Sequence, residues 1–163
     1  DRSSAASDVY KRQVLRLTVD AGTTTLVLDG PATAPRRWDW PLGHATLWAI
    51  RPGGPSPVMI ENAIQVVEDR IEPVARHVPA GTRLVASAAT LAPLQREGAI
   101  AGLQQGAIAR QAIEREYQWL AGRSMGAPSA REQGFDTPSG DALVLILREC
   151  LHHLDLDAVH LQD

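Results

Sequence analysis

The spacing of apolar residues switches between a period of two and a period near 3.6 along this chain, and that switch most restricts the fold. Val14–Val19, VLRLTV, alternates apolar and polar with β-branched residues, which predicts a half-buried strand. Asp20-Ala21-Gly22-Thr23 follows as a tight turn, and Thr24–Leu28, TTLVL, as a second strand. Asp29-Gly30 is a hairpin signal that Pro31 and Pro35 loosen. Arg36–Leu42 reads as a third strand with Trp38 and Trp40 on one face, and Pro41 confines it to an edge or a strand end. The period then becomes helical. Ile60, Ala63, Ile64, Val67, Ile71, Val74, Ala75 and Val78 form one stripe over Val58–Val78, with Pro73 as the point of kinking or splitting.

Pro79-Ala80-Gly81 ends that helix, and Thr82–Ala86 is a buried strand. Ser87–Leu94 is small and apolar, as in a strand-to-helix turn. Ala109–Ala121 is a second amphipathic helix with Ile113, Tyr117 and Leu120 on its stripe. Gly122–Gly140 reads as a loop, with Ser139 or Asp141 available to cap a third helix over Ala142–Leu154. Asp157–Leu161 is a last strand. The predicted order is β-β-β-α-β-α-α-β. Antiparallel strands come first, and strands joined by helical crossovers follow. This predicts an α/β domain of the actin-like ATPase (ribonuclease H-like) type, a mixed sheet opening on a hairpin or meander with helices packed on it.

Composition narrows the class further. The chain has 163 residues, 44% of them hydrophobic and 21% charged, enough to bury a core and too apolar to be disordered. Its net charge of −3 argues against a general nucleic-acid binder, so no DNA partner is expected. Its apolar runs are shorter than the roughly 20 residues of a membrane-spanning helix. Cys150 is the one cysteine, which excludes an internal disulfide or a cysteine-cluster metal site. A cytoplasmic setting is expected.

Lys11 is the only lysine among the 16 basic residues. The stretch around it, DRSSAASDVYKRQ, is Ser-rich, aperiodic and unlike the Arg- and Ala-rich remainder. It resembles the translated peptide of a sequencing adaptor. Residues 1–13 are therefore expected to be a foreign or disordered tail, and 14–163 a single actin-like domain truncated at both ends.

Four segments resemble, in order, the exopolyphosphatase / guanosine pentaphosphate phosphohydrolase (Ppx/GppA) family. LRLTVDAGTTTLVLDG is similar to its strand, D-I-G-G-G-S-T-E loop and second strand. Trp40–Leu47, WPLGHATL, is similar to its P-L-G-A-x-x-L segment, and TRLVASAATLAPL to its L-V-G-x-G-G-T-x-x-x-L-A loop. ALVLILRECLHHLDLDAVHLQD resembles the helix and strand that lead into its S-D-R-G-L segment. The family has two actin-like domains with the active site between them, and this chain resembles the C-terminal one. The resemblance implies a missing N-terminal actin-like domain, a homodimer, bound Mg²⁺, and polyphosphate or guanosine pentaphosphate (pppGpp) as the substrate losing its terminal phosphate. Backbone amides in glycine turns would cradle the phosphates.

On that resemblance the phosphate-binding candidates are Asp20, Gly22, Thr23, Thr24, Thr25, Ser87 and Thr90, with Asp20 also the Mg²⁺ ligand through water. A plain hairpin turn, with Asp and Thr bonded to local backbone, is the competing reading of the first group, and small-residue packing that of Ser87 and Thr90. The sequence departs from the family pattern: Thr23 and Thr24 stand for two Gly, Val27 for its acidic residue, and Ala86, Ala88 and Ala89 near its second-loop Gly positions. The family's principal catalytic Glu lies in the other domain, so this chain alone is expected to be inactive. No catalytic residue is assigned within it.

Other chemistry-bearing residues read more plainly. His152 and His153 are adjacent and point about 100° apart on a helix, one expected to face the core and one solvent. His44 follows Gly43 and is a candidate for the cleft. Trp38, Trp40 and Trp48 are expected in the core or an interface, Arg36 and Arg37 in solvent, and Cys150 buried and inert. Three functions remain open: the phosphohydrolase, a non-catalytic polyphosphate- or nucleotide-binding regulatory relative with the same fold, and a sugar-kinase-like member of the same superfamily.

Overall fold

A computed structural model describes residues 13–30, 33–95 and 105–162. Residues 1–12, most of the expected tail, lie outside these. Gln13 lies inside them, and its carbonyl accepts from the Arg83 N–H at 3.0 Å, so it extends a strand ladder.

The strands are β1 (Val14–Val19), β2 (Thr24–Gly30), β3 (Thr33–Trp40), β4 (Arg83–Ala86), β5 (Ala107–Ala109) and β6 (Ala158–Leu161). They form one mixed sheet in the order β3-β2-β1-β4-β6-β5. β1 pairs antiparallel with β2 and parallel with β4, β4 pairs parallel with β6, and β5 runs antiparallel to β6 at the edge. β3 is the other edge, which is where Pro35 and Pro41 are tolerated, since proline cannot donate to a ladder. The helices are α1 (Pro57–Ala75), the single turn α2 (Ala88–Leu91), α3 (Arg110–Ser124) and α4 (Pro138–His153). Pro73 stays inside α1, which remains one helix.

Three expectations are corrected. β5 is a strand that the sequence reading lacked; at three residues it has too few positions to show alternation. Thr137, not Ser139 or Asp141, caps α4, its side chain accepting from the Gly140 N–H. Asp141 instead turns inward to Arg123, Oδ1 to Nη2 at 2.7 Å, and burial pushes its carboxyl above the usual range. Neither His152 nor His153 is buried in the core: His152 is exposed, and His153 turns to the seam between α1 and α4 with its side chain about one-third exposed.

The core sits between one sheet face and α4. On β1 and β2 the residues Leu15, Leu17, Val19, Leu26 and Leu28 point to the same side and are buried. Ile60, Ala63, Val67, Ile71 and Val74 of α1 pack into the same core. α4 is buried nearly all round, with Leu143, Leu145, Ile146, Leu147, Cys150 and Leu151 fully enclosed by the sheet, α1 and α3. Burial also pushes the Cys150 thiol up to about 12, so it is inert as expected. Trp40 is buried, and Trp38 and Trp48 pack against the core as partly buried side chains.

The opposite face of the β1–β3 meander stays open. Arg16, Thr18, Arg37 and Asp39 on it are exposed, and Thr25 and Val27 half-buried. Leu145→Ala is expected to cost about 2–5 kcal/mol because α4 has no free side to collapse toward. Val58→Ala, on an exposed side chain of α1, should stay within about 0.5 kcal/mol. Urea unfolding of the two variants reads the difference.

Candidate phosphate-binding end of the sheet

Parallel pairing decides what meets what. Because β1, β4 and β6 run the same way, their C-terminal ends lie at one end of the sheet, where open α/β sheets bind ligands. β2 begins and β3 ends there too. Three connections therefore converge: the turn Asp20–Thr23, the segment Pro41–Leu47 and the loop Ser87–Thr90.

The turn closes on itself. Asp20 Oδ1 accepts from the Gly22 N–H at 3.0 Å and the Thr23 N–H at 2.8 Å, and the Asp20 N–H donates to the Thr23 carbonyl at 3.0 Å. These are the local bonds an aspartate makes in a hairpin turn. They occupy two amides that a phosphate cradle would use. Asp20, Gly22 and Thr23 are all exposed. Among the described residues Asp20 Oδ2 has no hydrogen-bond partner.

The segment after β3 holds the turn from outside. The His44 N–H donates to the Asp20 carbonyl at 3.0 Å and the Ala45 N–H to the Ala21 carbonyl at 2.9 Å. Gly43 lies against the same backbone; a Cβ there would meet the Ala21 carbonyl carbon and oxygen at 2.7 Å and overlap the Asp20 oxygen. Gly43 stood in the sequence only as one letter of a motif, and its packing role is readable only from structure. The contact brings half-buried His44 beside the turn.

The second loop is tied to the first strand. Ser87 caps α2, its Oγ accepting from the Thr90 N–H at 3.2 Å. Thr90 Oγ1 in turn accepts from the Val19 N–H at 3.4 Å while 3% exposed. The two candidate loops thus touch, but Thr90 spends its hydroxyl on the junction.

The remaining candidates separate. Thr24 is fully buried beside Val19 and Trp40, and its Oγ1 has no hydrogen-bond partner. Thr25 faces the other way, onto the open sheet face, where its Oγ1 donates to Asp39 Oδ1 at 2.8 Å. Arg37 bonds that same carboxylate and, with Thr25, holds it below the usual range. Val27 lies in register between Arg16 and Arg37 on the open face, away from the turn. Asp20, Gly22, Thr23 and Ser87 are therefore the candidates left at the strand ends with access to a ligand. Within the turn and the Ser87–Thr90 loop the only formal charge is that of Asp20, so an oxyanion there needs a cation to offset repulsion.

No protein-family model and no curated protein matches the chain. Solved structures do. A PPX-GPPA enzyme of Aquifex aeolicus matches with a TM-score of 0.64 at 15% identity, over 93% of this chain and 53% of that one. An exopolyphosphatase-like protein matches with a TM-score of 0.62 at 15% identity, over 93% and 54%. An exopolyphosphatase from Cytophaga hutchinsonii matches with a TM-score of 0.60 at 12% identity, over 92% and 53%. The chain spans about half the length of each.

Two substitutions separate structural from ligand-facing roles at this end. Gly43→Ala should cost about 1–3 kcal/mol, since the clashing atoms are backbone. Thr24→Val should raise stability by about 1 kcal/mol, because it removes a buried hydroxyl that has no partner. Thermal unfolding measures both. Taken together, topology and likeness establish that the chain carries the actin-like fold found in one half of the Ppx/GppA phosphatases.

Proposed function

We propose that this chain is the C-terminal actin-like half of a phosphohydrolase of the exopolyphosphatase / guanosine pentaphosphatase type. Its Asp20–Thr23 turn and Ser87 would line one wall of a cleft whose other wall is a second actin-like domain. The substrate would be polyphosphate or guanosine pentaphosphate, losing its terminal phosphate. The observation that carries this reading is the Thr90–Val19 hydrogen bond, which gathers the two loops at the shared end of β1 and β4. The half-length likeness to Ppx/GppA structures supports a two-domain parent. A homodimer belongs to the same reading.

Mg²⁺ fits the donor chemistry in one mode. Asp20 has a carboxylate oxygen turned away from its own backbone bonds, and among the described residues it belongs to no cluster of three ligating side chains. A single carboxylate with water and phosphate oxygens is an ordinary Mg²⁺ environment. Bound there, the ion would neutralise charge on the phosphoryl group in transfer. Asp20 would orient the hydrated ion, the Thr23 hydroxyl would bond phosphate oxygens, and Ser87 would add a hydroxyl from the second loop. The attacking water would be activated from the opposite domain, since neither loop offers a second carboxylate.

A second reading rests on a specific observation. The Gly22 and Thr23 amides are held by Asp20, and the position of the family's acidic residue is Val27 on the open face. That arrangement favours a relative that binds polyphosphate or a nucleotide without turning it over.

One substitution tests both. Asp20→Asn keeps Oδ1 as the acceptor for the turn and removes the charge, so the fold should stand. In the parent protein containing both domains, it should lower Mg²⁺-dependent phosphate release from polyphosphate by tenfold or more. Release that is unchanged overturns the assignment of Asp20. Saturable polyphosphate binding by calorimetry with no release establishes the second reading.

A further inference from the structure

A second group of ligating side chains lies away from the strand ends, on the seam between α1 and α4. Glu149 and His153 are four residues apart on α4 and so share one face of that helix. Glu68 reaches them from α1. His153 Nε2 is 3.2 Å from Glu68 Oε1 and 3.4 Å from Glu149 Oε1, and one ligand atom from each residue lies within 4.8 Å of the others. Nitrogen and oxygen ligands bound at about 2.0–2.2 Å to a tetrahedral Zn²⁺ stand about 3.3–3.5 Å apart, a range that holds the Glu149 contact and that the Glu68 contact falls just short of.

Burial gives the cluster its asymmetry. The Glu149 side chain is 1% exposed, and its Oε2 accepts from Arg148 Nη1 at 2.8 Å. Arg148 is itself fixed, with Nε on Glu114 Oε2 at 2.8 Å and its guanidinium 4.0 Å over the Tyr117 ring. That brace aims Oε1 of a buried carboxylate at the imidazole. A buried carboxylate oxygen needs a cation or a donor opposite it. The His153 ring packs edge-on to His152 with centroids 4.9 Å apart, and His152 Nδ1 lies 2.8 Å from Arg110 Nη2. Of the His153 ring nitrogens, Nε2 is the one turned to both glutamates. Glu68 and His153 are about one-third exposed, so solvent reaches the cluster and could supply a water as fourth ligand.

We infer that Glu68, Glu149 and His153 form a site for a Zn²⁺ ion at the α1–α4 seam, with Arg148 holding the buried ligand in place. An imidazole between two carboxylates selects Zn²⁺ over Mg²⁺, which prefers an all-oxygen shell. The site pins the last turn of α4 to the middle of α1.

The test is calorimetric titration of the full chain with zinc chloride in excess Mg²⁺, for the natural sequence and for Glu68→Gln and His153→Gln. Both positions are partly exposed, so folding should persist, and circular dichroism checks it. Glu149 is left intact because it is buried and paired. One Zn²⁺ per chain is expected, bound at least tenfold more weakly by either variant. X-ray absorption should show one imidazole with oxygen ligands. Absence of saturable binding, which would leave His153 as a proton-mediated bridge only, overturns the site. Binding equally tight in His153→Gln, which would place the metal on another imidazole, overturns it as well.

Discussion

The parallel ladder between β1 and β4 is the pairing on which the rest of the molecule depends. β1 already has an antiparallel partner in β2, and only a parallel partner on its other side forces the chain to cross over through a helix. That crossover contains α1, whose apolar stripe closes one side of the core. The same ladder brings the exits of β1 and β4 to one end of the sheet. Reversing it would send the Asp20 turn and the Ser87 loop to opposite ends and leave Thr90 nothing to bond. The geometry of the candidate site thus follows from strand direction before any side chain is considered.

α4 completes this arrangement. A helix buried on nearly every side is uncommon in a domain this small, and it needs three walls: the sheet, α1 and α3. Its polar groups are handled at the margins. Arg123 answers buried Asp141 at the start, and Arg148 answers buried Glu149 near the end. The inner apolar residues thereby avoid any unpaired charge.

Much of this was legible in the sequence, for physical reasons that also mark where legibility stops. Alternation exposed β1 and β2 because one face of each is buried and the other wet, and the α1 stripe was plain for the same reason. β5 escaped because three residues carry no period. The α4 cap was misplaced because Ser139 and Asp141 are both good cap residues, while Thr137 wins through its extended backbone, before Pro138 at the first helical position. At the strand ends the residue types were visible but not their directions. Thr24 and Thr25 are neighbours in sequence and occupy opposite faces of the sheet, as strand geometry requires. The histidine pair departs from expectation because the helix ends just there, so that His152 is exposed and His153 reaches the α1–α4 seam but not the core.

The contact of Gly43 and His44 with the Asp20 turn carries a kinetic consequence. The bonds within the turn are local and can form as soon as β1 and β2 fold back on each other. The bonds that brace it from outside come from beyond β3, so they form only after the whole meander has closed. Closing a longer loop costs chain entropy before it returns any contact. The turn should therefore exist first as a loose hairpin and become rigid last, when the edge strand docks. Fraying of β3 would then loosen the Asp20 turn directly and withdraw Trp40 from the rim of the core, while the buried helix α4 stayed in place.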